Sequence, residues 1–131
     1  MKRRIVGAWL WSAALSGIPS TVHALATGGD PFQATAAAGT LIVDDGRPRR
    51  DLIVAAIPAH LAVSLLWTLL LAAGLPKRGR VLAGALAGVA IHLFDMNVVG
   101  RAFPRIAALP RGPQLADHIA FGLLVGKLTE G

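Results

Sequence analysis

The chain contains no cysteine, and only 15% of its residues are charged. The first absence excludes disulfides, thiolate metal centres and cysteine nucleophiles. The second excludes an ordinary soluble domain. Hydrophobic residues make up 54% of the 131, and the mean hydropathy is +0.60. That is too apolar for a water-facing surface at a length that accommodates one domain. No HExxH pair, glycine-rich phosphate loop, nucleophile elbow or paired catalytic carboxylates occur, so enzyme and non-enzyme both stay open and the non-enzyme reading is favoured. Lys and Arg number 13 against 7 acids, yet no basic face with interleaved aromatics forms, and nucleic acid is not an expected partner. The expected partner is the lipid bilayer, with the basic residues at the ends of apolar runs contacting headgroups.

What is present in quantity is alanine, glycine, leucine and valine, arranged in four apolar runs. The expected fold is all-α: a single transmembrane domain over 1–131, built as a four-helix transmembrane bundle. Its spans lie at about 5–26, 52–75, 81–99 and 114–128. About 20 residues cross a hydrocarbon core, so the fourth run is the shortest fit. Asp30-Pro31 reads as a helix start, and the alanine-rich stretch after it predicts an extra short helix at about 31–43, lying at the interface or against the bundle. The first run ends in "TVHALAT", where Ala24-Leu25-Ala26 has the form of a signal-peptidase site. A cleaved export signal and a retained first span are both open at this point, and retention is the favoured reading.

Basic residues divide almost evenly between the two ends of the runs. Lys2, Arg3, Arg4, Lys77, Arg78, Arg80 and Lys127 fall at one end; Arg47, Arg49, Arg50, Arg101, Arg105 and Arg111 fall at the other. Asp30, Asp44, Asp45 and Asp51 accompany the second set. The charge asymmetry therefore favours a multi-pass cell-membrane protein with both termini in the cytoplasm. Trp9, Trp11 and Trp67 read as interfacial anchors on that side.

Each run carries one histidine: His23, His60, His92 and His118. With alternating directions, His23 and His118 lie near the end distal to the N-terminus. His60 and His92 lie about eight residues, roughly 12 Å, inside that end. Helical spacing places Gly84, Gly88, His92 and Asp95 on one face, and His118, Gly122 and Gly126 on another. Small residues let helix backbones approach closely, so Gly84, Gly88, Gly122 and Gly126 are the expected packing positions, within the bundle or between copies in a homo-oligomer.

An ionisable residue inside a span is a site candidate. The candidate polar cluster or proton relay consists of His23, His60, His92, Asp95, Asp117 and His118. It can serve three ends: hydrogen bonding between helices, proton-coupled transport or permeation, or binding of haem b or a divalent metal. For the last of these, His60, His92 and Asp95 are the expected ligands. "HLAVSLL" from His60 and "HIAFGLL" from His118 match at four of seven positions, which suggests two repeated helical hairpins.

At "SGIPSTVHAL", "PAHLAVSLLW" and "GPQLADHIAFGLLVG" the chain resembles small bacterial integral membrane proteins with four spans. The likeness covers most of the chain and implies a layout; no activity is attached to that family.

Overall fold

The structure, a computed structural model, describes residues 1–131. Every regular element is helical: α1 (Lys2–Leu15), α2 (Ile18–Thr27), α3 (Gln33–Gly39), α4 (Arg49–Gly74), α5 (Arg80–Phe94), α6 (Gly100–Ala102), α7 (Pro104–Ala107) and α8 (Arg111–Leu128). A π-helical turn, Asp95–Val99, joins α5 to α6. Three helical units are long and apolar enough to cross a membrane: Lys2–Thr27, Arg49–Gly74 and Arg80–Ala102. The shortest has 23 residues and extends about 34 Å, against a hydrocarbon core of about 30 Å. The 18 residues of α8 reach about 27 Å.

The packing suits an apolar solvent. Only 26 of 131 residues are buried, whereas Leu82 is 68% and Leu25 66% exposed. Such a belt of outward leucine, isoleucine and valine would drive aggregation in water; against acyl chains it costs nothing. Inside, large side chains are few. Leu71, Ile91, Phe121 and Val125 form one cluster, and Ala37, Met96 and Leu109 form another.

Close backbone approach replaces bulky packing between α5 and α8. A Cβ on Gly84 would meet the Gly122 carbonyl, and one on Gly122 would meet the Gly84 carbonyl. Likewise Gly88 abuts the His118 carbonyl, and Gly126 abuts that of Arg80. The pairs Arg80–Gly126, Gly84–Gly122 and Gly88–His118 step up one helix as they step down the other, so the two are antiparallel. The four expected glycines thus meet within one chain.

The short helix is narrower than the 31–43 stretch that the sequence predicts, and it lies against the bundle. Gly39 touches the backbone of Leu52 on α4, and Ala36 and Ala37 are buried. Polar clasps close both ends of the molecule. At the end holding the termini, Arg4 donates to the Glu130 carbonyl. There Arg80 donates to the Ala72 and Leu75 carbonyls at the end of α4 and to Thr129 Oγ1. A guanidinium at a helix C-terminus satisfies carbonyls that have no helical partner and complements the helix dipole. At the other end Arg49 forks onto Asp30 at 2.5 and 2.6 Å, and Arg105 pairs with Asp45. The Arg49 guanidinium holds the exposed Asp30 carboxyl below the usual carboxylate range, aided by the Phe32 N–H.

Two tryptophans depart from the anchoring role. Trp9 Nε1 donates to the Leu61 carbonyl of α4 at 3.0 Å, and Trp67 stacks edge-on against Phe94. Only Trp11, 59% exposed, stands outward.

Candidate functional site

The first long unit is broken in its middle. Pro19 has no N–H, and its ring excludes the carbonyl one turn earlier; Gly17 beside it adds freedom. Helix α1 therefore stops at Leu15 and α2 begins at Ile18. Backbone groups released inside a membrane must find new partners. Both broken ends do. His60 Nε2, from α4, donates to the Ala13 carbonyl at 2.8 Å. The Ser20 N–H, in the first turn of α2, donates to Asp117 Oδ1 of α8 at 2.8 Å. The carboxylate thereby sits at the positive end of α2, the favourable place for an anion.

A second polar junction lies across from the break. His118 Nδ1 is 2.6 Å from the Gln114 carbonyl, and its Nε2 is 2.8 Å from Asp95 Oδ2. A carbonyl can only accept, so Nδ1 carries a proton. One further proton then lies between Nε2 and Oδ2. On nitrogen it makes an imidazolium–carboxylate pair; on oxygen it makes a neutral imidazole beside a carboxylic acid. Both forms have the same net charge, so the proton can change sides without moving charge into or out of the apolar interior. Asp95 opens the π-helical turn, a wide turn that interrupts helices often at functional sites. The turn brings Asp95 under His118 while Asn97 donates back to the Leu93 carbonyl.

These two junctions border a cavity of about 390 Å³. It lies between the α1–α2 break, α3, the middle of α4, the π-helical turn and the first half of α8. His60, Asp95, Asp117 and His118 all reach it. Ser16, Ser20, Ser64 and Gln114 add neutral polar groups, and Trp67 and Phe121 add aromatic walls.

The structure therefore brings together four of the six expected cluster residues around one space. His92 stands behind them: its ring lies 5.4 Å from that of His118, edge to face, and its Nδ1 is buried without a partner. His23 stays apart, exposed near the end of α2 beside the Asp30 region. The ligand set expected for a metal, His60, His92 and Asp95, is not assembled. Asp95 turns to His118 and His60 to a backbone carbonyl, and no three His, Asp or Glu side chains gather as a metal would require. The cause is local: an imidazole N–H in an apolar interior takes the nearest unpaired acceptor, and the broken helix supplies one to His60.

Ser20 and Gln114 were not among the expected site residues. "SGIPS" in the middle of an apolar run was the available signal, since a mid-span proline obliges neighbouring polar groups to converge. Nothing in the local sequence marks Gln114.

No protein-family model matches this chain, and neither a curated protein nor a solved structure is similar to it.

Proposed function

We propose that this chain is a small carrier or pore that passes protons, and exchanges them for a small solute, through the chamber in its helical bundle. The observation that carries this reading is the 2.8 Å contact between His118 Nε2 and Asp95 Oδ2, which requires a proton between them, on the wall of a polar cavity. Ionisable groups retained inside spans commonly mark ion pathways. A discontinuous helix whose two broken ends face a central cavity is a recurring way to build a binding site inside a membrane.

The same reading takes α8 as a fourth span, beside the three longer units, and places the molecule in the cell membrane with both termini in the cytoplasm. The antiparallel glycine contact supports the fourth span, because it holds α8 along most of its length against a unit long enough to cross. It also takes the first unit as retained. Loss of the segment before Ala26 would remove the break that supplies the Ala13 carbonyl and the Ser20 N–H.

Purified protein in sealed vesicles with an internal pH dye tests the reading. An imposed potassium-valinomycin potential should drive proton entry through the native chain and not through Asp95→Asn. In that variant the amide cannot take up or release a proton. Equal flux in both, or none in either, would overturn the reading.

A further inference from the structure

The chamber's lining is selective in sign. Among the side chains that reach it there is no lysine or arginine, while two carboxylates are present, Asp95 and Asp117. Each keeps one oxygen without a protein partner: Asp95 uses Oδ2 for His118, and Asp117 uses Oδ1 for Ser20. Three neutral polar residues on the same wall are more than nine-tenths buried: Ser16, Ser64 and Gln114, at 6, 4 and 7% exposure. Their side chains enter no hydrogen bond within the protein, unlike those of Ser20 and Thr21, which bond the Gly17 carbonyl. Buried polar side chains are normally satisfied, so three unpaired ones around one cavity point to an occupant. Trp67 and Phe121 supply aromatic surface against which an apolar group packs. A volume near 390 Å³ lies at the small end of small-molecule pockets, about 300–1,000 Å³.

We infer that the chamber binds a small amphipathic organic ammonium ion, its cationic head between the free oxygens of Asp95 and Asp117 and its apolar part against Trp67 and Phe121. The inference rests on the transport reading above and names its solute class. An anion would face two acids and no lysine or arginine, with only the proton shared by His118 and Asp95 to offset them. A neutral solute would leave those carboxylates unused.

Binding and protonation then compete. The ionisable groups facing the two carboxylates are His60 from α4, His118 between them on α8, and His92 behind His118 on α5. Helices α1, α2 and α3 bring none to the chamber, and Arg111 stands outside it at the start of α8. A cation entering between Asp95 and Asp117 is electrostatically equivalent to a proton there, so its arrival should release one, which leaves to solvent. No other covalent change is involved.

Isothermal titration calorimetry of the folded protein in dodecylmaltoside tests this with benzyltrimethylammonium, a permanent cation, against phenylacetate and benzyl alcohol. The ammonium ion should bind at one site with heat that varies with buffer ionisation, reporting proton release. Phenylacetate and benzyl alcohol should bind at least tenfold more weakly. Asp117→Asn keeps an oxygen for the Ser20 N–H and should weaken the ammonium ion at least tenfold. Ser64→Leu fills the space without touching a carboxylate and should do the same. Equal affinity for the three probes, unchanged affinity in both variants, or no binding by native protein of unaltered circular dichroism would overturn the inference. Proton flux in vesicles without ammonium binding would leave the transport reading standing and remove this one; ammonium binding without flux would do the reverse.

Discussion

Gly122→Ala sets two opposing effects against each other at the α5–α8 contact. Alanine favours an exposed helix over glycine by about 1 kcal/mol. At position 122, however, the added methyl meets the Gly84 carbonyl and the backbone nitrogen of Gly88. Neither is the end of a flexible side chain, so neither can swing aside. The helices must separate instead, which strains or loosens the neighbouring contacts at Gly88 and Gly126. Overpacking of this kind costs about 1–3 kcal/mol, and here it is relieved only by giving up close contact along the seam. The expected net result is a loss of up to about 2 kcal/mol. Gly7→Ala is the control. Gly7 lies inside α1 with open space where its Cβ would stand, so that substitution should add stability, by up to about 1 kcal/mol. Reversible unfolding in mixed micelles, followed by circular dichroism, measures both. Gly122→Ala as stable as Gly7→Ala would refute the reasoning, because it would mean that the backbones do not touch at this seam.

Two further outcomes follow from the polar contacts. Asp117→Ala removes the acceptor from the Ser20 N–H and should cost about 0.5–2 kcal/mol, the range for a lost helix cap; Asp117→Asn should cost less in the same unfolding assay. The Asp30 carboxyl is held below its ordinary range by Arg49, so its contribution is present above the unfolded value of about 3.9 and disappears as pH falls through the lower folded value. Native protein should therefore be more stable than Arg49→Gln at pH 7, and the difference should close on titration to strongly acidic pH. A gap that is constant with pH would show that the pair does not act through the Asp30 charge.

The histidine and glycine faces were legible because a helix repeats every 3.6 residues whatever it packs against. That is why Gly84, Gly88, Gly122 and Gly126 could be read as a contact surface, and why His118 and Asp95 could be read as facing inward. Which polar group meets which was not legible. His60 and His92 lie at similar depth in sequence, yet one turns to the Ala13 carbonyl and the other to the ring of His118. The choice depends on acceptors freed by the break at Gly17 and Pro19 and on the π-helical turn at Asp95. The break is local to "SGIPS", but which side chains reach the groups it frees, like the π-helical turn, is a product of three-dimensional packing. Asp117 was visible as an acid near the start of a run, but its place at the N-terminus of α2 depends on how the first unit crosses α8. Trp9 and Trp67 misled for a related reason: an indole suits a headgroup region, but its N–H also fits a carbonyl between helices.

The absence of cysteine makes the most direct measurement simple. Ser64→Cys places a single thiol on the chamber wall, and Leu66→Cys places one on the outer surface, where the native side chain is 55% exposed. In sealed vesicles, a small cationic methanethiosulfonate reagent should label Cys at 64 and spare Cys at 66 if, as the account requires, the chamber is wet and the outer surface faces lipid. Labelling at 66 with none at 64 would contradict a lipid-facing exterior around a wet, polar interior.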